Sequence, residues 1–124
     1  MIIAVDFDGT CVTHRYPEEG EDIGAVPVLR QLAEKGHKLI LYTMRSGETL
    51  DAAVRWFARH NIPLYDCNYN PGQQEWTSSP KVYAHLYIDD AALGCPLVMP
   101  EAERPYVDWP QVSRLLKGMG VLDT

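Results

Sequence analysis

Two apolar runs in this chain end in acids. Residues 2–5, IIAV, lead into Asp6, Phe7, Asp8, Gly9 and Thr10, and HLYI at 85–88 leads into Asp89 and Asp90. A carboxylate against apolar surroundings is costly unless it is paired or holds a cation. Acids placed this way are therefore either badly sited or at work. Hard carboxylate oxygens are ligands for Mg²⁺. Thr43 ends a third apolar run, KLILYT at 38–43, and Lys81 is the only lysine between Lys38 and Lys117. Several acids, a hydroxyl and an ammonium form the set that Mg²⁺-assisted phosphoryl transfer needs. The cations neutralise phosphate charge, while the hydroxyl and backbone N–H groups grip the remaining oxygens.

The elements that must position these residues are readable from periodicity. A continuous apolar run with Val and Ile predicts a strand buried on both faces at residues 2–7. Val26, Leu29, Leu32 and Ala33 recur at helical spacing, with Pro27 near the first turn and Gly36 at the stop. A second strand is expected over 38–43. A second helix carries Leu50, Ala53, Val54, Phe57 and Ala58 and ends at Asn61 and Pro63. LYDCNY (64–69) predicts a third strand, 70–80 a polar loop, and 85–90 a fourth strand. Residues 91–107 read as irregular, with 95–99 a candidate short strand. A last helix is expected from Asp108, with Gln111 completing a capping box and Val112, Leu115, Leu116 and Met119 as its apolar face. Strands alternating with helices predict an α/β fold, a doubly wound parallel sheet with helices on both faces. Ligands bind such sheets at the carboxyl ends of the strands, where Asp6, Asp8, Thr43, Asp89 and Asp90 all fall.

With these motifs in order, the chain resembles the haloacid dehalogenase-like (HAD) superfamily. DFDGT at 6–10, LILYT ending at Thr43, Lys81, and YIDD at 87–90 are similar to its motifs I to IV and span residues 2–90. The resemblance implies a Rossmann-like three-layer core and a Mg²⁺-dependent phosphatase. Asp6 matches the nucleophile that forms an aspartyl-phosphate. Asp8 matches the acid/base, and its backbone carbonyl a metal ligand. Thr43 and Lys81 match the groups that bind the phosphoryl. Asp89 matches the second metal carboxylate and Asp90 its supporting partner or an alternative ligand, and which of the two touches the ion is open at this stage. Gly9 permits a sharp turn close to phosphate, and Thr10 steadies it.

The gaps between the motifs hold no cap-sized insertion. The resemblance is therefore to a minimal, capless member, a single domain over 1–124, whose open site admits large phosphorylated substrates or a neighbouring subunit as lid. Phosphotransfer to an acceptor other than water uses the same first half-reaction. A HAD-like protein that only binds a ligand is a further alternative. A signalling receiver domain shares the chemistry but lacks the DxDGT turn.

Composition bounds the partners. The 124 residues carry a net charge of −6, with 46% apolar and 23% charged residues. That argues against a nucleic-acid partner but leaves room for a small phosphorylated substrate, because a local metal outweighs the global field. Cys11, Cys67 and Cys95 lack a disulfide or metal-site spacing, which suits a reducing, cytoplasmic setting. No run is long enough to span a membrane, and the start does not read as a signal peptide. A dimer is compatible with an open pocket, though no residue points to one.

Other residues near the motifs have two readings each. Arg45 follows Thr43 at the rim, either clamping a second substrate anion or exposed in a loop. His14, Arg15 and Tyr16 either line the pocket or belong to the surface. Trp76 invites a stacking role, with packing of its loop as the default. Cys11 reads as a small packing residue.

Overall fold

Right-handed crossovers decide where the helices of this protein go. The computed structural model describes residues 1–124. Its elements are β1 (Ile2–Val5), α1 (Ala25–Glu34), β2 (Lys38–Leu41), α2 (Gly47–Arg59), β3 (Asp66–Cys67), a single 3₁₀ turn (Gln73–Glu75), β4 (Leu86–Ile88), β5 (Leu97–Val98), β6 (Tyr106–Val107) and α3 (Trp109–Gly118). Four strands form a parallel sheet in the order β3-β2-β1-β4. The steps from β1 to β2 to β3 run in one direction, so right-handed connections place α1 and α2 on the same side.

Register and burial agree with this. Ile3 pairs with Leu39 and Leu86, and Val5 with Leu41 and Ile88, so these side chains share one face. They form one apolar cluster with Leu29 and Leu32 of α1, Trp56 and Phe57 of α2, and Trp109, Val112 and Leu116 of α3. All three helices thus feed the core on one face of the sheet.

The opposite face carries Ala4, Ile40 and Tyr87, by the same alternation. No helix of the main cluster meets it. The connection from β3 to β4 passes there as an extended segment with one 3₁₀ turn, because NPGQQEWTSSP has prolines and a glycine and no helical apolar period. Tyr87 donates its hydroxyl to the Val82 carbonyl (2.6 Å) and accepts from the Ala84 N–H (3.1 Å), tying that segment to the face. Gln73 braces it internally, donating to the carbonyls of Ser79 (3.2 Å) and Lys81 (2.9 Å) and accepting from the Tyr83 N–H (2.8 Å).

Three further differences from the sequence reading have local causes. β3 keeps two residues of the expected six, since it is an edge strand paired only with β2. The 95–99 strand shrinks to β5, which pairs antiparallel with the unanticipated β6 outside the main sheet. On α3, Val112 and Leu116 are buried but Leu115 and Met119 are exposed, so the apolar face is wider than the surface it meets. The expected N-cap forms: Asp108 accepts from the Gln111 N–H at 3.1 Å, and the Gln111 amide returns to the same carboxylate at 2.7 Å. No helix is long and apolar enough to cross a membrane.

Candidate active site and metal centre

The turn after β1 sets the site. Phe7 is fully buried, edge-on to Trp56 at 5.6 Å, which anchors the strand exit in the core. Its carbonyl accepts from the N–H groups of Thr10 (3.1 Å), Cys11 (2.8 Å) and Val12 (3.3 Å), coiling the chain tightly. Gly9 sits at φ +75°, in the left-handed region. A Cβ there would stand 2.1 Å from His14 Nε2 and 2.8 Å from Asp90 Oδ2. Glycine is thus required twice, for its backbone conformation and for the space the His14 ring fills. From α3, Trp109 donates its indole N–H to the Thr10 carbonyl at 2.7 Å, fixing the turn from below.

Strands β1 and β4 are neighbours, so Asp6 and the Asp89–Asp90 pair meet at one rim. Oxygens from Asp6, Asp89 and Asp90 lie within 4.8 Å of one another. The Thr10 hydroxyl stands between two of these acids, 3.3 Å from Asp6 Oδ2 and 3.1 Å from Asp90 Oδ1, while accepting from the Asp90 N–H at 3.0 Å. It has one proton and so donates to one carboxylate at a time. Burial, followed by the charge of Asp89, pushes the Asp6 carboxyl up from 3.8 to about 8. Crowded, half-buried carboxylates of this kind fit a divalent cation: ligands of a Mg²⁺ ion lie roughly 3 to 4 Å apart at its usual bond lengths. The Asp8 carbonyl oxygen has no hydrogen-bond donor, which suits a ligand role.

The Asp8 side chain is placed elsewhere. Arg45 grips it with two hydrogen bonds, Nε to Oδ2 at 2.8 Å and Nη2 to Oδ1 at 2.7 Å. The Asp8 carboxylate is therefore not part of the acidic triad. Arg45 is itself buried, and its remaining N–H groups reach the carbonyls of Glu18 (2.6 Å), Thr49 (3.2 Å) and Pro17 (3.4 Å). A guanidinium has five N–H donors, and here all five have acceptors. Its plane also lies near the rings of Phe7 and Tyr16, at 4.9 and 5.3 Å. This corrects the reading of Arg45 as a rim residue open to a substrate anion: four carbonyl and carboxylate partners from three segments draw it inward.

Thr43 stands at the end of β2, half-buried. Its N–H is held by Asn68 Oδ1 at 2.8 Å, and its Oγ1 accepts from the Arg45 N–H at 3.1 Å, which leaves the hydroxyl proton free to donate. Lys81 is exposed and forms no ion pair; its Nζ lies 5.7 Å from the centre of the Tyr87 ring. His14 belongs to the site more closely than its sequence context suggested. Its Nε2 is 3.2 Å from Asp90 Oδ2, and the pair is mostly shielded from solvent. Its signal was the nearby Gly9, whose missing side chain makes room for the ring. Cys11 is wholly buried with its thiol on the Asp6 carbonyl at 3.3 Å, a packing position.

No protein-family model matches the chain, and no curated protein does. A solved structure does: the conserved protein coded by a locus from Bacteroides thetaiotaomicron. It is 39% identical, covering 96% of this chain and 91% of that one, with a TM-score of 0.78. The chain belongs to that protein's family.

Proposed function

We propose that the protein is a Mg²⁺-dependent phosphohydrolase of the haloacid dehalogenase-like type, acting through an aspartyl-phosphate on Asp6. The reading includes a capless, Rossmann-like core in three layers, with the 69–85 segment in place of a helix as the third. The observation that carries it is the convergence of Asp6, Asp89 and Asp90 at the ends of adjacent parallel strands. These three carboxylates, with the Asp8 carbonyl, would hold the ion, which when bound supplies positive charge to the acids and to the phosphate.

The chain's own residues supply the rest. An ionised Asp6 oxygen attacks phosphorus, the bond to the leaving oxygen breaks, and water later attacks the same phosphorus to release phosphate and restore the carboxylate. Thr43 donates its free hydroxyl proton to a phosphoryl oxygen. Lys81 brings an exposed, unpaired ammonium from the 69–85 segment. Asp8 gives a proton to the leaving oxygen and takes one from the attacking water, which requires its carboxylate to leave Arg45. Thr10 holds Asp6 and Asp90 at fixed separation.

The Asp8–Arg45 pair favours one second reading. With that acid locked, the site would bind a phosphorylated ligand without turning it over.

Hydrolysis of p-nitrophenyl phosphate by the full chain, with Mg²⁺ and with EDTA, beside Asp6→Asn, separates the two. Mg²⁺-dependent release that disappears in the variant is expected. Mg²⁺ binding without release would favour the second reading, and release that persists in EDTA or in Asp6→Asn would overturn the first.

A further inference from the structure

The sheet face that no helix covers carries a row of exposed rings that begins at the carboxylates. Tyr42 and Tyr87 stand 6.3 Å apart. With Asp6 and Asp89 they line a cavity of about 190 Å³. Tyr87 also lines a second cavity, of about 300 Å³, together with Trp76, Tyr83 and Lys81. Tyr87 lines both cavities.

Of the rings of the second cavity, Trp76 is not a packing residue. Trp76 is 63% exposed, against 2% for Trp56 and 1% for Trp109, and it meets Tyr83 edge-on at 5.4 Å. A large exposed aromatic set in a concave surface marks a binding site more often than a core.

The polar lining has one sign. In a chain of net charge −6, none of the residues around the second cavity is an acid, and its single charged group is the unpaired Lys81. The Thr77 hydroxyl accepts from the Ser79 N–H and the Ser79 hydroxyl from the Lys81 N–H, so both keep a proton to donate. Ring faces edged by donors complement a flat ligand rich in acceptors, as a nucleobase is.

We propose that the cavity of Trp76, Tyr83 and Tyr87, edged by the Thr77 and Ser79 hydroxyls, is the base subsite for a nucleoside monophosphate whose phosphate lies at Asp6, Lys81 being left to the phosphate. This rests on the phosphohydrolase reading. A nucleoside monophosphate carries a ribose between phosphate and base, so its two ends can occupy two different cavities. The acidic net charge opposes a long polyanion but not a single nucleotide.

Two measurements on the full chain test it. Trp76 is the one exposed tryptophan, so saturable quenching of tryptophan fluorescence reads its cavity directly. Adenosine and adenosine 5′-monophosphate are expected to quench, and glycerol phosphate is not. In Mg²⁺, the ratio of kcat/KM for adenosine monophosphate to that for glycerol phosphate should fall about 5- to 150-fold in Trp76→Ala, as loss of one stacked base predicts. Trp76→Phe should restore it, and phenyl phosphate should not share the loss. Absence of saturable quenching, or a ratio that Trp76→Ala leaves as in the wild type, would overturn the subsite. Quenching without hydrolysis of any ester keeps the subsite and removes the hydrolase reading; hydrolysis without quenching does the reverse.

Discussion

Arg45 and Asp8, 37 residues apart in sequence, are joined by two hydrogen bonds of 2.8 and 2.7 Å in a site where the arginine is almost wholly enclosed. The pair ties the DFDGT turn after β1 to the start of α2, and the same guanidinium holds the 17–18 loop by its carbonyls. A buried pair is weak grounds for stability as a whole, but breaking one leaves the other charge uncompensated. Arg45→Gln is expected to lower unfolding stability by about 3–5 kcal/mol. Arg45→Gln with Asp8→Asn should recover a large part of that loss. Urea denaturation of the two single variants and the double variant measures the coupling; a cost below about 1 kcal/mol, the range of exposed ion pairs, would contradict the clamp.

Asp6 makes the metal-free protein sensitive to pH. Its carboxyl is raised to about 8 by burial and by Asp89, so the folded state keeps a proton that the unfolded chain releases above 3.8. The folded state then binds more protons between these values, and stability falls as pH rises through that window. Asp6→Asn removes the term. In EDTA its melting temperature should exceed that of the wild type by a margin that widens from pH 4 to pH 8. Mg²⁺ should narrow the margin by stabilising the wild type more than the variant. Thermal scans at pH 5 and pH 8, with and without the ion, decide it. A margin independent of pH would contradict the crowding of Asp6.

The sequence makes some of this legible for a local reason and hides the rest for a non-local one. IIAV before Asp6 and HLYI before Asp89 are apolar runs whose ends can be located without knowing their neighbours, and parallel pairing then brings the acids together. The N-cap at Asp108 is likewise a contact between residues three apart. Arg45 could not be placed that way. Its acceptors come from Asp8, the 17–18 loop and Thr49, segments whose meeting depends on the whole fold. His14 was hidden similarly, since the space it fills exists only where Gly9 and Asp90 meet. The absence of a helix on the second sheet face was masked by regular alternation of strands and helices up to β3, which suggests helices on both sides. The polar composition of 70–80 predicts a loop, but its consequence, a row of partly exposed tyrosines beside that loop, follows only from strand order. Leu115 and Met119 show the same limit at a smaller scale, because helical periodicity defines an apolar stripe and not how much of it finds a partner.

Gly9 offers a sharper test of the turn. Gly9→Ala faces both a left-handed backbone and the His14 ring, whereas Gly36→Ala, at φ +92° with nothing within 4 Å, faces only the backbone cost. That backbone cost is about 1–2 kcal/mol per residue. Gly9→Ala should therefore lose more stability than Gly36→Ala, and Gly9→Ala combined with His14→Ala should lose less than the sum of the two single variants, keeping the part due to Asp90 Oδ2 at 2.8 Å. Chemical denaturation of the set reads the difference. Equal losses for the two glycine variants would mean that His14 does not occupy the space over Gly9.

Trp109 connects the last helix to the site through one hydrogen bond. Its indole N–H reaches the Thr10 carbonyl at 2.7 Å, and the Thr10 hydroxyl in turn lies between Asp6 and Asp90. Trp109→Phe keeps most of the buried ring but strands that carbonyl, a loss of about 1–3 kcal/mol for an unsatisfied buried acceptor, plus the cost of the smaller ring. If the bond serves only packing, Mg²⁺ affinity measured by calorimetry should match the wild type. If it positions Thr10, and through it the separation of Asp6 from Asp90, affinity should weaken as well. The second outcome is expected, because the Thr10 hydroxyl and carbonyl belong to one residue in a three-bond turn with little freedom to shift one and keep the other. Thr10→Val, which removes the hydroxyl and leaves the carbonyl with Trp109, should weaken Mg²⁺ binding in the same direction while sparing the α3 contact.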